Sequence, residues 1–314
     1  MKNTIKKIEK PQKVQNYIGG EWVSGSGDTF QVTSPYFGNV IGEGKSSTAA
    51  DIDKLAKNAH EAFLQWSVTP IKERSQVLFR FRNLLLENLD DISQTVSVES
   101  GKTLAEAKAG LMKGVEVLEF ALSIQNMDHG GRLEVSRGVF CEYRREPLGV
   151  IANITPFNFP AMVPMWTIPI ALVLGNSYLW KPSDKTPLTS HAIAELLAKA
   201  GLPRGVFSVA QGGVETVNAV IDHPLVKAIG FVGSSRAAKA VYQRGTNLGK
   251  RVLALGGAKN HIVLLPDADA NLSGRGISDS FTGCAGQRCM AASVLLAVEG
   301  SEHLIEKIKE RAQS

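Results

Sequence analysis

From Gly149 to Val232 the chain alternates short apolar runs with longer amphipathic stretches, and this alternation restricts the fold more than any other feature. Gly149 to Ile154, Ser177 to Trp180, Val206 to Ala210 and Ala228 to Val232 are almost continuously apolar. Strands buried on both faces read this way. Helical stretches fall between them, around Ala161 to Leu174, Leu188 to Ala200 and Val214 to Asp222. Such alternation predicts an α/β fold with a parallel, doubly wound sheet. A further βαβ-like passage, with strands at Arg251 to Leu255 and His261 to Leu265, leads into a helix ahead of Cys289.

The earlier part of the chain reads differently. Asn16 to Val23 and Gly25 to Asp28 suggest a hairpin region. Helical periodicity then begins at Ile52 and recurs at Leu55, Ala56, Ala59, Ala62, Phe63 and Trp66. A second stripe runs Val77, Leu78, Phe81, Leu84, Leu85 and Leu89. Thr103 and Glu106 form a capping-box pattern that opens a third helix running towards Ile124. Between Gly131 and Arg145, β-branched and aromatic residues with turn glycines predict a two-stranded excursion.

Bulk properties narrow the class. The 314 residues suffice for two domains, and a net charge of +5 raises the question of an anionic polymer. The basic residues are scattered, except for Lys2, Lys6, Lys7, Lys10 and Lys13, which read as a solvated arm, so no nucleic-acid partner is expected. Three cysteines leave at least one unpaired, which suits a reducing compartment. The start lacks a secretory core, and no apolar run is long enough to span a membrane. The expected location is the cytoplasm, with no membrane partner. His223 and His261 lack metal-ligand spacing and read as structural, so no metal is expected.

The residues able to do chemistry gather at predicted strand ends. Thr155-Pro156-Phe157-Asn158-Phe159-Pro160 follows the first strand, where open α/β sheets bind ligands. Asn158 either donates its amide to an oxyanion or caps the next helix. Lys181-Pro182-Ser183 closes the next strand, and Asp184 and Lys185 follow; Asp184 is either a ribose ligand or a turn residue. Phe231-Val232-Gly233-Ser234 places a tight turn and a helix start where phosphate is attracted. Cys289, beside Arg288 in Gly286-Gln287-Arg288-Cys289, is either a nucleophile with a neighbouring cation or a small buried hydrophobe. Cys284 reads as packing.

These four motifs, in this order, resemble the aldehyde dehydrogenase superfamily. The segments Pro156 to Trp166, Gly256-Gly257-Ala258-Lys259-Asn260-His261 and Arg288-Cys289-Met290-Ala291 are similar to its CoA-acylating, methylmalonate-semialdehyde dehydrogenase branch. The resemblance covers nearly the whole chain. It implies Cys289 as nucleophile and Asn158 with a backbone N–H as oxyanion hole. NAD would be held by Thr155, Phe157, Lys181, Asp184, Lys185, Gly233 and Ser234. Arg288 would bind the substrate carboxylate, form a structural ion pair or bias the thiol.

Hydrolytic members place a glutamate two residues before the Gly-Gly pair, where this chain has Ala254. Ala254 either simply packs at a strand end or, through loss of that general base, worth roughly 10²–10⁴-fold, leaves the thioester to coenzyme A as co-substrate, which is the reading the resemblance favours. The expected reaction converts malonate or methylmalonate semialdehyde to acetyl- or propanoyl-CoA with loss of the carboxylate. The expected organisation is an NAD-binding domain over 1–130 and 151–256, a bridging or oligomerisation hairpin over 131–150, and a catalytic domain over 257–314. That last domain would be incomplete, since family members continue past the position of Ser314, and the partner would be a second copy in a dimer or tetramer. The alternatives are a hydrolytic enzyme releasing a free acid and an inactive NAD-binding remnant.

Overall fold

The computed structural model of the chain describes residues 4–127 and 130–313. Lys2 of the basic start and the outer ends of the expected domains, at residues 1 and 314, lie outside the described residues. The chain divides into two compact units, the first ending at Leu255 and the second beginning at Gly256.

The first unit opens with five short strands, β1 (Gln12–Val14), β2 (Asn16–Ile18), β3 (Glu21–Val23), β4 (Thr29–Thr33) and β5 (Val40–Lys45). β2 and β3 form a hairpin that turns through Gly19 and Gly20, both at positive φ. Gly25–Asp28, expected to share the hairpin, is instead an irregular turn, because Gly25 lies too close to the Lys45 and Ser46 carbonyls to admit a side chain. β1, β5 and β4 make a separate three-stranded sheet that apolar periodicity does not announce, since its strands are short and half exposed.

Four helices follow: α1 (Ala49–Trp66), α2 (Ile71–Glu87), α3 (Leu89–Ser100) and α4 (Leu104–Ser123). Reciprocal side-chain and backbone bonds between Thr48 and Asp51, and between Thr103 and Glu106, start α1 and α4. Each box supplies acceptors for N–H groups that have no intrahelical partner. The stripe expected to carry the second helix through Leu89 is cut at Asn88, whose backbone leaves helical geometry (φ −103°, ψ 16°), and Leu89 begins α3.

An exposed hairpin, β6 (Gly131–Ser136) and β7 (Val139–Tyr143), precedes the main sheet. Then come β8 (Val150–Ile154), α5 (Met162–Met165), α6 (Ile168–Val173), β9 (Ser177–Lys181), α7 (Leu188–Lys199), β10 (Phe207–Val209), α8 (Val214–Asp222), β11 (Val226–Val232), α9 (Ser235–Asn247) and β12 (Arg251–Leu255). The single helix expected over Ala161 to Leu174 is two short ones. Pro169 lacks an N–H and its ring collides with the carbonyl four residues back, so the chain breaks at Thr167 and restarts with Pro169 in the first turn.

The seven strands run in the order β12-β11-β8-β9-β10-β2-β3. The first five are parallel, and β2 joins β10 antiparallel. Side chains alternate faces along a strand. Thus Tyr178 and Trp180 of β9 enter one core with α2, α4, α6 and α7, while Leu179 enters the opposite core with α1, α8 and α9. The crossovers after β8 and β9 therefore cover one face, and those after β10 and β11 the other. This is the doubly wound sheet that the alternation predicts. The chain leaves β8 towards β9 and later returns on its other side as β11, so the switch in direction lies between β8 and β11.

The second unit contains β13 (Asn260–Leu264), α10 (Ala270–Thr282), β14 (Ala292–Ala297) and α11 (Glu302–Gln313). β13 and β14 pair in parallel with α10 as the crossover, and Leu264, Ile277, Leu304 and Ile308 form the core. Among the described residues no helix is long and apolar enough to cross a membrane.

Candidate active site

At the carboxyl ends of β8, β9 and β11 lies a cleft of about 560 Å³. Its position is the one where α/β sheets take ligands, at the strand ends beside the switch point. Thr155, Phe157, Lys181, Asp184, Gly233 and Ser234 all line it, so the topology brings six of the predicted residues together. Val217 and Ile221 of α8 face Ala237 and Val241 of α9 across an apolar slot. Only the spacing of α8 and α9 turns these four into walls.

The edge of the β8–β9 pair is closed by the Thr155 N–H donating to the Lys181 carbonyl at 3.1 Å. Trp180 Nε1 donates to Thr155 Oγ1 at 2.8 Å, which fixes that hydroxyl. Lys181 is 5% exposed, and no hydrogen bond or ion pair engages its ammonium among the described residues. Burial pushes this ammonium down to about 8, while the Asp184 carboxylate partly restores it. A buried amine lacking acceptors is set to donate to ligand oxygens. Lys185 is not on the wall; its Nζ stands 4.9 Å from the centre of the Phe157 ring.

Across the cleft, Ser234 caps α9 by accepting from the Ala237 N–H at 3.4 Å. The positive end of this 13-residue helix thus faces the cleft beside Gly233. Gly233 is required by proximity, since a Cβ there would stand 2.6 Å from Cζ of Phe231. Lys181 and the helix start suit an anionic group, Asp184 a hydroxylated one, and the slot a flat apolar one.

Asn158 is half-buried in the loop after β8. Ala161 holds the N-cap position of α5.

Within the second unit, α10 ends in a 3-10 turn, Gly283–Gly286, in which Cys284 and Ala285 adopt φ of +53° and +54°. Left-handed backbone costs about 1–2 kcal/mol for each residue bearing a Cβ. Cys289 follows in the turn before β14 and is partly exposed. Its turn follows the carboxyl end of α10. Asn260 Nδ2 donates to the Cys289 carbonyl at 3.0 Å and to the Ala291 carbonyl at 3.1 Å, pinning the backbone on both sides of Met290. This role of Asn260 was missed in the sequence; its place in the Gly-Gly-Ala-Lys-Asn-His motif was the available signal. Arg288 donates through Nε to Cys284 Sγ at 3.3 Å and through Nη1 to the Asp279 carbonyl at 3.4 Å. Cys284 is buried, as expected of a packing residue. Ala254 sits on β12 opposite Phe231 and packs its methyl into the core shared with α9. His223 is paired with Asp53 at 3.3 Å.

A sequence model described as the aldehyde dehydrogenase family matches residues 22–314. Malonate-semialdehyde dehydrogenase 1 of Geobacillus kaustophilus is 42% identical over 309 residues, covering 97% of this chain and 63% of that protein. The Bacillus pumilus malonate-semialdehyde dehydrogenase is 42% identical over 300 residues, with 95% and 62% covered. A crystal structure described as a methylmalonate-semialdehyde dehydrogenase of Sinorhizobium meliloti 1021, complexed with NAD, superposes with a TM-score of 0.95 at 35% identity. That match covers 98% of this chain and 63% of the other. The chain thus spans 62–63% of the length of the relatives it matches.

Proposed function

The chain belongs to the aldehyde dehydrogenase family, and on that premise we propose that it serves the NAD-dependent, CoA-acylating oxidation of malonate or methylmalonate semialdehyde. The observation that carries this reading is the cleft in which a buried Lys181 ammonium stands opposite the N-terminus of α9. Lys181 and Asp184 would hold ribose hydroxyls, Gly233 and Ser234 a phosphate, and the slot between α8 and α9 an adenine ring. Thr155 and Phe157 would line the same site, with Lys185 stacked outside it. Bound there, NAD⁺ supplies the two-electron acceptor.

The remaining chemistry falls to the chain's own residues. Cys289 Sγ adds to the aldehyde carbon, and the Asn158 amide donates to the resulting alkoxide. After oxidation the acyl group rests on Cys289 as a thioester. Loss of the substrate carboxylate as CO₂ leaves an enolate that Asn158 again stabilises before it is protonated. The CoA thiolate then displaces Cys289. Ala254 offers no carboxylate to activate water, so the thioester persists until a thiol arrives. Arg288 is assigned to the substrate carboxylate, a role for which its planar fork is suited.

The organisation is part of the same proposal: NAD binding by 1–130 and 151–256, a bridging hairpin at 131–150, and catalysis by 257–314. Leu133, Val135, Val139, Phe140 and Tyr143 of the hairpin are all more than half exposed. A lone hairpin is marginal in water, which supports a homodimer or tetramer that covers it.

Product analysis tests the reading. With semialdehyde, NAD⁺ and CoA, equal amounts of NADH and acyl-CoA are expected, with CO₂ released. A free acid formed without CoA overturns the CoA-acylating assignment. Calorimetry tests the cleft separately. Lys181→Met is expected to weaken NAD⁺ binding by about tenfold to hundredfold, the range for a hydrogen bond from a charged donor. Wild-type affinity should fall as pH rises past about 8, where the free Lys181 loses its proton, and the variant should show no such fall.

A further inference from the structure

We propose that Lys102 is a positioning residue for the loop that carries Asn158, acting through the ring of Phe159. The inference rests on the reading of Asn158 as the oxyanion donor. Lys102 is 5% exposed, and its Nζ is buried with no hydrogen-bond partner. That nitrogen lies 3.8 Å from the centre of the Phe159 ring. An ammonium removed from water is expensive unless something replaces its hydration, and the negative face of an aromatic ring does so more strongly when water is excluded. Packing alone does not call for a charge here, since an unbranched apolar side chain would fill the same space without that desolvation.

The chain on either side of Lys102 is itself held. Glu99 accepts from the Leu188 and Thr189 N–H groups at 2.8 and 3.1 Å, tying the end of α3 to the start of α7. The Thr103–Glu106 capping box fixes the next residue. Gly110 of α4 supplies the opposite wall, where a Cβ would stand 3.7 Å from Cδ1 of Phe159. Backbone bonds at the two ends of the loop run from the Thr155 N–H to the Lys181 carbonyl at 3.1 Å and from the Val163 N–H to the Phe159 carbonyl at 3.2 Å. Between them Lys102 and Gly110 grip the ring of Phe159, Asn158's immediate neighbour. Lys102 thereby sets where Asn158 sits without touching substrate.

Hydrogen–deuterium exchange over residues 155–160 is the test, with Lys102→Met, Phe159→Leu and the double variant. Exchange of the loop is expected to quicken about tenfold in either single variant. The double variant should be no faster than either one, because both remove the same contact. Affinity for NAD⁺ should stay within about twofold, since neither residue lines the cleft and Thr155 is held separately by Trp180 Nε1 and the Lys181 carbonyl. Phe159→Leu keeps the question open to measurement if Lys102→Met fails to fold. Unchanged loop exchange, or additive effects in the double variant, overturns the proposal. In the NADH burst, Lys102→Met should lower the rate about tenfold with little change in substrate KM, as expected when a contact made in the transition state is loosened. A wild-type chain that gives no burst counts against the catalytic reading of Asn158, while the exchange measurement still decides the Lys102–Phe159 coupling.

Discussion

Alanine in place of Cys289 is expected to abolish the NADH burst from semialdehyde, cutting any residual rate by at least about a thousandfold, as loss of a covalent nucleophile does. On the proposed mechanism this sulfur becomes the thioester, and the neighbouring thiol of Cys284 is buried. The substitution should leave the turn intact. Asn260 holds that turn through the carbonyls of Cys289 and Ala291, not through the thiol. Affinity for NAD⁺ should likewise be unchanged, because the cleft is lined by residues from Ile154 to Arg244. Stopped-flow absorbance and calorimetry on the same preparation read the two quantities. An undiminished burst in the variant would remove Cys289 from the mechanism.

Arg74→Met is expected to lower the stability of the first unit by about 3–5 kcal/mol, the range for leaving several buried polar groups unpaired. Arg74 is buried at the start of α2, and burial depresses its pKa, yet a guanidinium stays charged. Its Nε donates to the Val173 carbonyl at 2.8 Å, and Nη1 reaches the carbonyls of Trp66, Ser67 and Thr69. These acceptors lie at the carboxyl ends of α1 and α6 and in the turn after α1, where carbonyls have no intrahelical donor. One cation thus satisfies both helix ends and opposes their dipoles. Gly175 is needed because a Cβ would approach Nη1 to 3.0 Å. Urea unfolding followed by circular dichroism should show the midpoint falling. A midpoint within experimental error of the wild type would show that water replaces the guanidinium. Arg74→Lys should recover a part of the loss, since an ammonium cannot span donors to several carbonyls in one plane.

Much of the fold was legible because burial on two faces leaves a local imprint. Leu179 and Trp180 belong to opposite cores, so their strand had to be apolar throughout. The first sheet, β1-β5-β4, left no such imprint, and Asn88 and Pro169 broke helices whose apolar stripes continued across them. Periodicity reports which side of a segment is buried and is blind to a single residue that leaves the helix. The site was legible in part. Six of the predicted residues meet at one cleft, since each ends a parallel strand and parallel strands deliver their ends to one edge.

By itself the sequence determined the alternating elements, the parallel sheet and the residue types at its carboxyl edge. These follow from short-range patterns of apolarity and from motifs read along the chain. Tertiary structure alone decided that Val217 and Val241 form a slot, that Lys181 is buried at its edge, and that Lys102 lies over Phe159. Those facts depend on which distant segments pack together. A pattern of burial names the buried face of a segment but not the partner that covers it.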